Sequence, residues 1–325
     1  MHLRVRRRVL FATTAVSLIV LTICVLWFFT DWRLMNREVL YVPGDCPTIQ
    51  KAIDLVASGG TVRVSPGIYR ETLTIKKKVN LIGDDKTSTI IEGPQGTDIL
   101  INLRTSNIRI TGFTIRGAGR AIFSSEGRYC VIENNIITNN SRGVYLDSSD
   151  SNRFINNTVT NNDIGIWFMY SDSTYVINNT VANNGVGLLP DGSYNCVIKG
   201  NRLSNNRVNL QFNYGIFQLS WDVLNQVDSS NTINGKNIYY LNNQSNTVID
   251  PSSCPNAAYM VVMNSVNVTV RNLRFSNNDH GLMLLYTHNS TLENIDVSNN
   301  AYGITLFRSH NNSIIRCTSL ENTYG

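Results

Sequence analysis

Several residue groups have the types and spacing that chemistry requires. Asp279-His280-Gly281 puts a carboxylate beside an imidazole, the raw material of general acid–base catalysis. Glycoside hydrolysis needs two carboxyl groups across one bond. No second carboxylate column falls beside His280, so Asp279 reads as a turn residue ahead of the Gly281 strand, and no catalytic residue is assigned. Asp147 and Asp191 are two steps of a 22-residue period apart, with Met169 between them. That is roughly 10 Å by strand spacing, too far for one calcium ion. Asp150 and Asp172 are one step apart and read as solvated turn residues. His288 and His310, also one step apart, are the metal candidates. Two imidazoles make an incomplete site, and polar turn residues are the default reading. Phe123, Tyr145, Trp167 and Leu189 recur at the same step. Exposed aromatics in consecutive coils form an apolar strip suited to sugar rings, with Asp147 and Asp191 two residues on. Phe123, Tyr145, Trp167, Asp147 and Asp191 are therefore the carbohydrate-binding candidates. The competing reading is that a loop or the 207–271 stretch covers the strip.

These residues depend on a repeat. Asn134-Asn135-Ile136-Ile137-Thr138-Asn139-Asn140 recurs from Asn156 and Asn178, and as Gly200 to Asn206. Gly143-Val144-Tyr145-Leu146 recurs from Gly165 and Gly187, degenerates at Asn209, and resumes at Gly281 and Gly303. A unit this short cannot bury its apolar face alone, but stacked units can. β-Branched residues and Asn/Gly corners argue for a parallel β-helix of about three short strands per coil, rising about 4.8 Å. Four columns should point inward. They are Ile132/Phe154/Val176/Ile198, Ile137/Val159/Val181/Leu203, Val144/Ile166/Leu188/Leu210 and Leu146/Phe168/Pro190/Phe212. Asn135, Asn157, Asn179 and Asn201 should form an amide ladder, replaced later by Leu273, Ile295 and Cys317.

The chain has 325 residues, 43 of them Asn, and only 16% are charged. Asn favours turns over helix. Residues 1–38 hold +4 of the net +5, leaving a nearly neutral body with no electrostatic footprint for nucleic acid. An apolar run over residues 9–29 behind four arginines predicts one transmembrane helix. The N-terminus is then cytoplasmic and the rest lies on the extracytoplasmic face. No small-residue cleavage site follows the run. Five further cysteines show no redox motif, and Cys317 should be a buried thiol. Asn139, Asn156, Asn178, Asn243, Asn267, Asn289 and Asn311 open Asn-x-Ser/Thr sequons and are glycosylation candidates.

Five regions follow. Residues 1–38 are a basic stub and anchor. Residues 39–111 are an N-terminal cap and first coils, in which Ile49, Ala52, Ile53 and Val56 share one face of a capping helix. Residues 112–206 are regular 22-residue coils, 207–271 are about three irregular coils with loops, and 272–325 are regular coils with an open end on which another protein could stack.

From Pro47 to Gly93 the chain resembles the opening of the pectin-lyase-like superfamily, including NosD-like proteins. The phrases N-N-T-V-x-N-N-x-x-G-I resemble NosD-type and carbohydrate-binding/sugar-hydrolase (CASH) repeats, and residues 231–249 resemble archaeal surface proteins. The resemblance covers roughly residues 41–325 and implies an all-β, right-handed parallel β-helix. It does not fix an activity, since the superfamily holds lyases, hydrolases, epimerases, esterases and binding proteins. The phrases N-T-D and R-I-K of polygalacturonase-like enzymes are absent. The resulting expectation is a membrane-anchored surface protein that binds polysaccharide or builds the envelope without catalysis, and with no cofactor. The alternatives are a polysaccharide lyase, hydrolase or epimerase, and a NosD-like accessory in copper-site maturation.

Overall fold

The computed structural model describes residues 33–211 and 225–325. The apolar run at 9–29, Phe212 and the loop around Trp221 lie outside the described residues. No helix among the described residues is long and apolar enough to cross a membrane. The described chain is an all-β solenoid of right-handed type with one short helix. Its first part carries three parallel sheets, and each strand pairs with the strand one coil on. The period sets the register: Ile132 pairs with Phe154, Phe154 with Val176, and Val176 with Ile198. These residues and the described members of the other three inward columns are buried, Pro190 included. Helix Ile49–Leu55 covers the first coil with Ile49, Ala52 and Ile53. Thr48 caps it through a bond from the Lys51 N–H, and the Glu71 carboxylate accepts the free N–H groups of Ile49 and Gln50 at 2.8 and 2.9 Å.

The Asn-Asn phrase divides two tasks between neighbours. The first Asn of each pair (Asn134, Asn139, Asn156, Asn161, Asn178, Asn183) takes a positive φ of 51° to 57° and bends the chain at the surface. Asn tolerates this conformation better than other non-glycine residues. The second is buried. Its Oδ1 accepts the backbone N–H of the equivalent residue one coil back, at 3.0 Å for Asn135–Asn157 and 2.9 Å for Asn157–Asn179 and Asn179–Asn201. Its Nδ2 donates to the next Asn in the column and to an inner carbonyl, as Asn179 does to Asn201 and Phe154. Asn140, Asn162, Asn184 and Asn206 form a second, parallel ladder. Asn231 extends the first across a 30-residue step. The glycine of the second phrase is steric: a Cβ on Gly143 or Gly165 would lie 2.6 Å from the next coil's carbonyl oxygen. In the later coils Leu273 and Ile295 replace the ladder by apolar stacking. Cys317, on the outermost coil, is half-buried and not buried as expected.

Within residues 207–271 the chain reverses. The nine- and seven-stranded sheets end at Gln226–Val227 and Val208–Leu210, and only the twelve-stranded sheet continues. Strand Thr232–Ile233 turns through Asn234 and Gly235, at φ 49° and 79°, and pairs antiparallel with Lys236–Asn242. An Asn-Gly pair suits a two-residue hairpin with positive φ at both positions. Ala257–Met263, His280–Leu285 and Tyr302–Phe307 then follow in parallel with Lys236–Asn242. Alternate side chains of Ala257–Met263 enter different cores. Tyr259, Val261 and Met263 join the first core, whereas Met260 and Val262 join a second with Val268, Leu284 and Leu292. The second coil set thus wraps the opposite face of a shared sheet. Reversing the strand direction and changing the wrapped face each invert the hand, so the favoured right-handed connection is retained in both parts.

The ladders predict a contrast between neighbours. Asn179→Ala leaves the Asn157 N–H and other buried groups unpaired and should cost about 2–4 kcal/mol in denaturant unfolding. Asn161→Gly, at an exposed positive-φ corner, should stay within about 0.5 kcal/mol of wild type.

Candidate functional site

Strands Arg120–Ser125, Arg142–Asp147, Ile164–Met169 and Val186–Asp191 bring Phe123, Tyr145, Trp167 and Leu189 into register on the outer face of the seven-stranded sheet. Ring centroids are 5.5 Å apart for Phe123–Tyr145 and 4.6 Å for Tyr145–Trp167, with tilts of 34° and 32°. The three aromatics are half-buried, while Leu189 is buried rather than exposed as expected. The Trp167 indole N–H is buried and makes no hydrogen bond. Two arginines, missed in the sequence, flank the stack. Arg120 lies over Phe123 at 4.7 Å, and Arg142 lies over Tyr145 and Trp167 at 5.3 and 5.0 Å, within cation–π range. Asp147 and Asp191 border the other side, half-buried. Burial, then the Asp147 charge, raises the Tyr145 phenol above its ordinary pKa.

The acidic and imidazole turn columns are hydrogen-bond ladders. Asp150 accepts the Asp172 N–H at 2.9 Å, and Asp172 accepts the Tyr194 N–H at 2.8 Å. Both are therefore half-buried acceptors and not simply solvated turn residues. His288 does the same: its Nδ1 accepts the His310 N–H at 3.1 Å, and the rings stack at 5.3 Å, 15° from parallel. The Cys130 and Cys196 thiols are buried, and burial pushes Cys196 up to about 12. All seven sequon asparagines are exposed and sit at positive φ.

Asp279 occupies the predicted bend, but it is only 6% exposed. Its Oδ2 lies 3.4 Å from His280 Nε2, and His280 Nδ1 is 2.7 Å from Thr305 Oγ1. The His280 ring stacks on Tyr302, which stacks on Tyr324, at 4.7 and 4.9 Å. The step of 22 that relates these three residues was available in the sequence. Thr305, from the next coil's strand, was not linked to His280 by that spacing. Burial pushes Asp279 up to about 6 and His280 down to about 4, so between those two pH values both groups are largely neutral.

Residues 74–236 and 221–325 match the family described as periplasmic copper-binding protein (NosD). A cell surface glycoprotein of Methanothermus fervidus is 32% identical over 93 residues, which is 28% of this chain but only 15% of that protein. The catalytic domain of a GH87 α-1,3-glucanase, solved with tetrasaccharides, aligns with 87% of this chain and 68% of its own, at 15% identity and a TM-score of 0.50. The A-module of the Azotobacter vinelandii mannuronan C-5 epimerase AlgE4 aligns with 90% of this chain and 95% of its own, at 18% identity and a TM-score of 0.45. At such identity the glucanase likeness shows the fold alone.

The Asp279–His280 pair sets opposed pH dependences. Asp279, raised on folding, contributes stability at low pH that is lost as pH rises through about 6. His280, depressed on folding, contributes stability at neutral pH that is lost as pH falls through about 4. In the wild type the two offset one another. Relative to wild type, Asp279→Asn should therefore gain stability as pH rises from about 4 to 6, and His280→Gln should lose it. Each swing should be roughly 2–3 kcal/mol in denaturant titrations across that range.

Proposed function

The chain belongs to the periplasmic copper-binding protein (NosD) family, and from that premise we propose an extracytoplasmic β-helix protein that holds polysaccharide without cleaving it. Residues 9–29 anchor it in the cell membrane, with the N-terminus in the cytoplasm and the β-helix outside. The observation that carries the binding reading is the in-register stack of Phe123, Tyr145 and Trp167 under Arg120 and Arg142. Tilted aromatic faces take the C–H faces of sugars, and the guanidinium and Asp147 supply donors and acceptors for hydroxyls at the margins. The relative from Methanothermus fervidus is a cell surface glycoprotein, which agrees with a surface location and with glycans on the exposed sequons.

One observation favours an enzymatic second reading: Asp279 lies 3.4 Å from His280, with its carboxyl raised and the imidazole lowered by burial, as where proton transfer is organised. Hydrolysis of a glycosidic bond would still need a second carboxylate.

The family's description names copper, and the described residues fit it poorly. Among them no three His, Cys, Asp or Glu side chains converge. His288 Nδ1 is occupied by the His310 N–H, and the two ring centroids lie 5.3 Å apart. Two nitrogens on one ion must approach within about 4 Å. The described residues therefore do not assemble a copper centre.

The test is retention of the full-length chain on an array of polysaccharides, with unsaturated and reducing ends followed in parallel. Retention without release of either end, reduced at least tenfold in Trp167→Ala, is the expected result. Release of ends would overturn the non-catalytic reading, and unchanged retention in Trp167→Ala would remove the strip.

A further inference from the structure

The end of the first coil set creates an inside corner. Strand Gln226–Val227 closes the nine-stranded sheet and packs on Lys236–Asn242 of the shared sheet, beyond the hairpin. Between them lies a recess of about 410 Å3 with a buried apolar floor of Ile198, Val227 and Met263. Its rim holds Tyr240, Gln226, Asn242 and the facing pair Lys199 and Asp228, whose charged atoms are 3.8 Å apart. A second recess of about 450 Å3 meets the first at Asn242 and is walled by Asn264, Ser265, Tyr286 and His288.

We infer that these two recesses form one binding groove for a neutral oligosaccharide. The choice of sugar as ligand rests on the glycan-binding reading above; the place does not. Each recess has a volume ordinary for a small-ligand site, and junctions between structural units are where such sites concentrate. Each offers one tyrosine beside amide or hydroxyl groups. Amides present a donor and an acceptor side by side, which matches the vicinal hydroxyls of a sugar. Lys199 and Asp228 oppose one another, so the rim carries no net charge with which to recruit an acidic chain. Two adjoining recesses of similar size and like chemistry fit a ligand built of repeated units. The groove exists only because the chain reverses: on a single straight axis the outer face of Lys236–Asn242 would not meet the end of the nine-stranded sheet.

The experiment titrates the full-length chain with cellohexaose, laminarihexaose, mannohexaose and hexagalacturonate, by calorimetry and by hydrogen–deuterium exchange. A neutral hexaose should bind and slow exchange in Gln226–Val227, Lys236–Asn242 and Ala257–Met263. Asn242→Leu should weaken that binding at least tenfold, while Tyr240→Phe, which keeps the ring and the fold, should weaken it less than fivefold. Four results would each overturn the groove: no neutral hexaose bound, hexagalacturonate preferred, full affinity in Asn242→Leu, or protection confined to Arg142–Asp147 and Ile164–Met169. The last of these leaves the aromatic strip standing, and polymer retention without hexaose binding does the same, so the two readings fail separately.

Discussion

Stacking coils 22 residues long leaves backbone N–H groups at every corner that water does not reach, and each needs an acceptor at the next rung. A buried N–H left unpaired costs as much as a lost hydrogen bond. This protein meets the requirement with side chains of the succeeding coil. Asn157, Asn179 and Asn201 serve one corner, Asn162, Asn184 and Asn206 a second, and Ser171 and Ser193 a third. The rest of the first coil set depends on this. The ladders fix the rise and register, register aligns the inward columns, and the same register brings Tyr145 under Arg142 and against Trp167. The turn carboxylates and His288 bond in the opposite direction, each accepting a backbone N–H of the coil that follows. Asp150, Asp172 and His288 act as corner acceptors before any other role, which is why spacing that suggests an ion site builds a ladder.

Where a column repeats, the sequence was legible. Ile132 to Ile198, Val144 to Leu210 and the first asparagine ladder lie where a period of 22 places them, because parallel strands repeat their environment at every rung. The second ladder was equally present in the Asn-Asn phrase and is recovered once the two asparagines of a pair are given separate tasks. Gly143 and Gly281 show where the period misleads. Their phrases match, yet the first lies in the seven-stranded sheet and the second in the twelve-stranded one. Met283 occupies the outward position that Tyr145 has in the first part, but it is buried, because its sheet faces a core on both sides. Only the Asn234-Gly235 turn signals the change, and a two-residue signal does not say which face the next coil will wrap. The Asp279–Thr305 cluster was hidden for a related reason: its members come from different columns, and periodicity links only residues within one.

The reversal also ties fold to function. A straight β-helix offers long flat faces, well suited to an extended polymer but poor in enclosed recesses. Folding the second coil set onto the other side of a shared sheet adds a corner with depth. The molecule then presents two surfaces of different character. One is a half-buried aromatic stack flanked by arginines on regular coils. The other is a pair of open, amide-lined recesses beside Tyr240 and Tyr286. The Asp279–His280 pair lies in the second part.

The most direct test of the account is the position of a bound glycan, read from an experimental structure of the full chain with a fragment of whichever polysaccharide it retains. The account predicts a sugar ring in van der Waals contact, about 4 Å, with the Tyr145 and Trp167 rings, and the Arg142 guanidinium turned from above them toward the sugar hydroxyls. A glycan seated on a face that lacks these residues, with Arg142 still over Trp167, would contradict it.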